Sequence, residues 1–147
     1  LCREEALGLS SLKSDFDKLK VSLFAVVHED RGIEEFRRFF KGEIFLDSER
    51  KFYGPKERWM SVPMGFLRWG VWKNIYRVNQ AKIDGNLEGE GRLLGGVFVI
   101  GKGSTGILYE HRESEWGDHA NTTEILQQVR SKASLASSFY LFKQATS

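Results

Sequence analysis

The chain has 147 residues, 41% of them hydrophobic and 13% aromatic, with 22 basic side chains against 20 acidic ones and a formal net charge of +2. That length suits one domain with a real core, and the near-balanced charge provides no polyanion-binding field, so nucleic acid is not an expected partner. The single cysteine cannot form an internal disulfide; the expected compartment is therefore a reducing one, the cytoplasm by default.

Leu9, Leu12, Phe16 and Leu19 recur at three- and four-residue steps, and Cys2 lies seven positions before Leu9 on the same stripe. The spacing predicts an amphipathic helix over Arg3 to Lys20 whose buried face starts at Cys2. Glu4 and Glu5 in its first turn and Lys18 and Lys20 in its last suit the helix dipole. A cysteine at a helix N-terminus is a candidate reactive group, because unpaired backbone N–H groups stabilise its thiolate. The ordinary alternative for a lone cysteine on an apolar stripe is a small buried hydrophobe.

Val21 to Val27 is a nearly unbroken apolar run rich in β-branched residues, the pattern of a strand buried on both faces. A second helix is predicted over Ile33 to Phe40 with Gly42 as its stop, then a short strand over Glu43 to Leu46. Asp47 is placed to cap a brief helix running toward Phe52-Tyr53-Gly54-Pro55. Helix, strand, helix, strand is α/β order.

Pro63 to Asn79 crowds Met64, Phe66, Leu67, Trp69, Val71, Trp72, Ile75, Tyr76 and Val78 around one predicted helix, with Arg68, Lys73 and Arg77 between them. The ordinary reading is a helix covering the sheet. The sharper one is a surface helix that inserts its tryptophans into a membrane interface or a partner groove. Ile83 to Arg92 reads as a polar loop. Val97 to Ile100 and Ile107 to His111 read as a hairpin joined by a glycine-rich turn. Asn121-Thr122-Thr123-Glu124 resembles a capping box ahead of a helix ending near Lys132. A domain over 1–133 with a tail over 134–147 follows, although Phe139 to Phe142 fits a short strand as well as it fits helical spacing.

Several local patterns fail on mechanism. Gly96 to Gly103 approximates a phosphate loop, but its middle is a strand and Gly103 stands where a hydroxyl is needed; Gly89-x-Gly91 has Leu94 in the third glycine position. His28, His111 and His119 have no compact ligand spacing, so no metal or other cofactor is expected. His28 alone ends a predicted parallel strand, where open α/β sheets build their sites. Asn121-Thr122-Thr123 matches a glycosylation acceptor, yet capping explains it. No Gly-x-Ser-x-Gly context supports a hydrolase.

The combined text of the chain is more specific. Cys2-Arg3-Glu4-Glu5-Ala6, Phe24-Ala25-Val26-Val27, Phe40 to Asp47, Lys51 to Pro55, Gly85 to Gly91, Leu94 to Val99 and Gly106 to Glu113 resemble, in that order, the peroxiredoxin-like 2 family, also called selenoprotein U, and its A-type members most closely. The resemblance covers residues 2 to about 130. It implies an α/β, thioredoxin-like fold, a mixed sheet flanked by helices, and thiol-based antioxidant or redox-regulatory chemistry. The implied partners are a thiol reductant, from a thioredoxin or glutathione system, and a peroxide or disulfide substrate.

In that family a Cys-x-x-Cys or selenocysteine-x-x-Cys motif stands at the junction of the first strand and first helix. Cys2 matches its second, resolving position, Arg3 is a candidate thiolate stabiliser, and the first position falls two residues before Leu1. The strand leading into the motif is central in the family, lying between Val21 to Val27 and Val97 to Ile100, and this chain does not contain it. Further residues ahead of Leu1, the segment Phe139 to Phe142, or a second chain by strand exchange are the expected ways to fill that slot. Where thioredoxins place a cis-proline facing the redox pair, this chain has Gly95-Gly96, which makes these two the candidate substrate-facing positions. The B-type relatives add an alternative, reduction of a prostaglandin-type endoperoxide. A non-catalytic interaction or membrane-surface module built on the tryptophan-rich helix is the alternative from another class.

Overall fold

The structure is a computed structural model that describes residues 2–60, 67, 69–80, 93–132 and 139–145. In chain order its elements are α1 (Cys2–Ser11), α2 (Lys13–Lys18), β1 (Val21–Val27), α3 (Ile33–Arg37), β2 (Glu43–Leu46), a 3-10 turn (Lys51–Tyr53), α4 (Trp69–Gln80), β3 (Gly96–Gly101), a second 3-10 turn (Gly103–Thr105), β4 (Gly106–Arg112), α5 (Thr122–Lys132) and β5 (Phe139–Ala145). The five strands form one sheet in the order β2-β1-β5-β3-β4. β1 runs parallel to both β2 and β5, while β3 runs antiparallel to β5 and β4. A mixed sheet flanked by helices is the α/β thioredoxin-like arrangement.

The predicted first helix is two helices. Leu12 closes an i→i−3 bond to the Leu9 carbonyl at 3.1 Å, and the Ser11 hydroxyl donates to the Gly8 carbonyl at 2.7 Å. A serine pair that bonds locally and across the chain interrupts the ladder. Ser10 supplies the second half of that effect: its hydroxyl donates to the Phe39 carbonyl at 3.0 Å and accepts from the Lys41 N–H at 2.9 Å, tying the end of α1 to the chain after α3. The stripe is otherwise as the spacing requires, with Leu9 and Phe16 buried and Leu12 and Leu19 packed against the core.

β1 is buried on one face and only partly on the other, since Ser22 is exposed and Phe24 half-buried. α3 stops at Arg37, short of the predicted Phe40, and Phe36 and Phe40 stack with centroids 5.6 Å apart. Gly42 acts as a close-approach residue rather than as the stop of that helix: a Cβ there would lie 2.2 Å from the Leu23 carbonyl oxygen, so only glycine lets the chain enter β2 alongside β1. Asp47 holds the 3-10 turn, its carboxylate accepting from the Phe52 N–H at 2.7 Å. Asn121 caps α5 by accepting from the Thr123 and Glu124 N–H groups at 3.0 and 3.2 Å. The loop 83–92 and residues 134–138 lie outside the described residues.

The segment read as part of a tail provides the centre of the sheet. β5 pairs along its length with β1, from Val21↔Phe139 to Val27↔Ala145, and with β3, from Gly101↔Phe139 to Gly96↔Gln144. Of the three expected ways to fill the slot between Val21 to Val27 and Val97 to Ile100, it is the Phe139 segment that occupies it here. Alternation puts Phe139 and Leu141 into the main core at 1% and 0% exposure, each side chain contributing about 1.5–3 kcal/mol.

Lys143 continues that buried face as a charge. It is fully buried, its Nζ donating to Glu113 Oε1 at 2.6 Å and lying 2.6 Å from Glu5 Oε2. The remaining carboxylate oxygens accept backbone N–H groups, Glu5 Oε1 from Ala120 at 2.8 Å and Glu113 Oε2 from Gly95 at 3.1 Å. One ammonium thus ties α1, the end of β4 and the central strand together. Burial pushes the Glu5 carboxyl up, but the Lys143 ammonium, with His119 and the Ala120 N–H, more than offsets this and holds it below its ordinary value.

Leu141→Ala is expected to lower stability by roughly 2–5 kcal/mol, as for a core residue, and Lys143→Met by about 3–5 kcal/mol because it leaves two carboxylates buried without their cation. Urea unfolding measures both, and losses near zero would show that β5 is not seated in the sheet. Because the folded Glu5 carboxyl is lowered, its contribution is fully present above the ordinary carboxylate range and is lost as pH falls through the lowered value. The stability gap between the parent and Glu5→Gln should therefore be largest near neutrality and close on acidification, which unfolding midpoints across a pH series would check.

Candidate redox site at the carboxyl end of the sheet

α1 begins where β1 and β5 end. The Glu5–Lys143 contact fixes that relation, because Glu5 is in the first turn of α1 and Lys143 lies near the end of β5, opposite Ala25 of β1. The backbone of Cys2 opens α1, so the thiol position stands at the positive end of the helix dipole; the Cys2 side chain lies outside the described residues. Arg3 lays its guanidinium over the Phe39 ring, 5.3 Å from the centroid.

The two acidic residues that follow would oppose a thiolate if they stood alone. Each has a basic partner instead. Glu4 Oε2 is 3.2 Å from His119 Nδ1, and Glu5 faces Lys143. The loop carrying His119 is itself fixed, since Asp118 accepts from both the backbone N–H and the hydroxyl of Ser114 at 2.8 and 2.7 Å, and the Asp118 carbonyl lies 3.0 Å from His111 Nε2. Burial raises the Asp118 carboxyl, but these Ser114 hydrogen bonds, with His111 and His119 nearby, bring it below its ordinary value.

Gly95 and Gly96 are buried, and the backbones that approach them belong to this chain. A Cβ on Gly95 would lie 2.3 Å from the Gln144 carbonyl oxygen, and one on Gly96 would lie 2.6 Å from that of His111. Here the space that glycine leaves open is filled by β5 and β4. Arg58 then closes this corner: its guanidinium donates to the Glu113 carbonyl and to the Gly95 carbonyl, each at 2.6 Å, and its own carbonyl accepts from the Leu94 N–H at 2.8 Å. The planar fork holds the start of β3 and the end of β4 at one spacing.

His28 follows β1 at the same end of the sheet. It is buried, its ring edge-on to Tyr53 at 5.7 Å and its Nε2 3.6 Å from Glu29 Oε1, while the Tyr53 hydroxyl donates to the Val26 carbonyl at 3.0 Å. His111 and His119 both lie near Asp118. Among the described residues no group of three or more His, Cys, Asp or Glu side chains could hold a metal ion.

Sequence reading singled out Cys2, Arg3, Gly95, Gly96 and His28 but not the buried contacts of Glu5, Arg58, Glu113 and Lys143. Two of these left a trace. Glu5 stands on the three- and four-residue stripe of Cys2, Leu9 and Leu12, and Lys143 continues the alternation Phe139, Leu141, so each is a charge on an apolar face. Glu113 and Arg58 left none, because their roles depend on contacts to Gly95 far along the chain.

The family described as AhpC/TSA antioxidant enzyme matches residues 8–115. Peroxiredoxin-like 2A of Bos taurus is 54% identical over 132 residues, covering 88% of this chain and 60% of that protein. Peroxiredoxin-like 2A of Xenopus tropicalis is 55% identical over 132 residues, with 88% and 58% covered, and that of Homo sapiens 54%, with 88% and 57%. The chain thus spans less than two thirds of the length of these curated relatives. No solved structure matches it. The matched span, together with a mixed thioredoxin-like sheet, places the chain in the AhpC/TSA antioxidant enzyme family, as a homologue of the peroxiredoxin-like 2A proteins.

Proposed function

We propose that this chain is the thioredoxin-like part of a thiol-dependent peroxide reductase, with Cys2 as the resolving thiol. The observation that carries this reading is the placement of the chain's only cysteine at the first residue of α1, at the carboxyl end of β1 and β5, in a member of an antioxidant enzyme family. In a longer chain the residue three positions before Cys2, a cysteine or selenocysteine, attacks the peroxide. Its thiolate or selenolate takes one oxygen and releases the alcohol or water; Cys2 then displaces water from the oxidised atom, forming the bond that closes the pair. A dithiol of the thioredoxin type, or two glutathione molecules, returns the two electrons. A reducing compartment such as the cytoplasm keeps the thiol available.

Lipid endoperoxide reduction is the second reading, and it requires the same two electrons. One observation favours it: on the face of the sheet opposite the main core, Phe24, Val26, Phe45, Phe52, Tyr140 and Phe142 line an apolar groove of about 570 Å³. A bulky lipid peroxide and hydrogen peroxide, compared as substrates at equal concentration, discriminate the two.

The deciding measurement is NADPH consumption with peroxide, thioredoxin and thioredoxin reductase, comparing this chain with one extended through the whole motif. The extended chain should turn over, and Cys2→Ser within it should lower kcat by roughly two orders of magnitude. This chain should show no turnover while its Cys2 still reacts with iodoacetamide. Equal rates for the two chains would refute the role given to the first position.

A further inference from the structure

The redox reading leaves α4 unused, yet Trp69, Trp72, Ile75 and Tyr76 of this helix are exposed large hydrophobic side chains. The helix is held from one side. Val71 is fully buried and packs with Met60 and Leu94, with Trp116 against the same cluster. At 100° per residue, Trp69, Trp72, Lys73 and Tyr76 fall within an arc of about 100° on the side away from Val71. Trp69 is 86% exposed, Trp72 51% and Tyr76 66%. The helix is therefore a surface element, and the ordinary expectation of a helix covering the sheet is corrected: one narrow side reaches Met60 and Leu94, and the tryptophans face outward. Aromatic side chains exposed together on one face mark a contact surface.

The charge around them selects the occupant. From Arg58 to Lys82 the sequence has five basic residues, Arg58, Arg68, Lys73, Arg77 and Lys82, and no aspartate or glutamate, although acidic residues are nearly as numerous as basic ones over the whole chain. Lys73 is exposed within the aromatic arc itself. Indole and phenol rings have an apolar body and a polar edge, which suits the boundary between headgroups and acyl chains, and basic residues beside them suit anionic headgroups. No described helix is long and apolar enough to cross a bilayer.

We infer that α4 docks this protein on the surface of an anionic lipid bilayer, with Trp69, Trp72 and Tyr76 inserted at the interface and Lys73 facing the headgroups. The helix lies in the membrane plane with Val71 toward the domain. Leu94, on which Val71 packs, directly precedes Gly95, so docking holds the Gly95 corner of the sheet near the bilayer.

Co-sedimentation of the chain with vesicles tests this, using phosphatidylcholine alone and phosphatidylcholine with about one third phosphatidylserine. Binding to the anionic vesicles is expected to exceed binding to the neutral ones by roughly tenfold and to fall with added salt. Trp69→Ala/Trp72→Ala should lower partition by about tenfold on both vesicle types, and Lys73→Glu should lower it on the anionic ones alone. Trp69 and Lys73 are exposed, so Trp69→Ala and Lys73→Glu alone should keep the parent's unfolding midpoint, and partition of the double variant is read at a temperature where its own midpoint shows it folded. No binding to anionic vesicles, or equal binding by the double variant, would overturn the inference. So would a self-associated species in sedimentation velocity that the double variant converts to monomer, since it would assign this face to a second copy of the chain.

Discussion

The slot between β1 and β3 is the constraint on which the rest of the structure depends. β1 presents one row of backbone donors and acceptors to β2 and another to the interior, and β3 does the same between β4 and the interior. Two inward rows of unpaired peptide groups in an apolar core would cost more than a small domain can offset. A strand in the slot must therefore run parallel to β1 and antiparallel to β3, and it must be apolar on the side facing α1 and α5. Residues 139–145 meet both pairing conditions and turn Phe139 and Leu141 to that side, with Lys143 a charge there that is paired with Glu5 and Glu113. Their hydrogen bonds on both sides make them the most paired segment of the sheet, although they come last in the chain.

Lys143 sets the register of that strand. A slip of one residue would turn Phe139 and Leu141 to the opposite face and would move the ammonium out of reach of Glu5 and Glu113. An apolar residue in its place would leave both carboxylates buried without their cation. Here a slipped register would leave the buried charges unpaired, so the ion pair favours one arrangement over its neighbours. The same contact places the first turn of α1, so the residue that fixes the sheet also fixes the end of the helix that Cys2 opens. Arg58 extends this logic to the neighbouring corner, because its fork reaches two carbonyls on different segments at one spacing.

The elements were legible where local periodicity and burial coincide. Val21 to Val27, Glu43 to Leu46 and the hairpin across Gly103 were readable because alternation or apolar runs and turn residues agree there, and Asn121 announced α5 through its own side chain. The break at Leu12 was not, since its cause is a hydroxyl of Ser10 reaching Phe39 and Lys41, which no helical wheel displays. Gly42 was read as a helix stop because that is the common local use of glycine, while its actual use is a close approach to β1 from a distant part of the chain. The Phe139 segment was readable as a strand but not as the central one from its own residues. That position follows only from the need of β1 and β3 for a shared partner. The helical wheel of α4 separated its faces poorly because large apolar residues stand on nearly every side, and only packing reveals that, among the described side chains of the helix, Val71 is the fully buried one.

The site and the exposed face of α4 are close in the fold and separate in their physics. They meet at Met60, Val71 and Leu94, a small apolar cluster distinct from the main core beneath α1 and α5. The redox end is held by charge and hydrogen bonds through Glu5, Lys143, Glu113 and Arg58, none of which belongs to that cluster. The α4 face is defined by rings that lie on the far side of Val71. Neither Trp69 nor Trp72 belongs to the cluster that joins α4 to the Gly95 corner, and Lys143 does not belong to it either. Substitutions that share no partner combine additively, so changes around Lys143 and changes on the exposed face of α4 are expected to add, with Leu94 the residue that touches both regions.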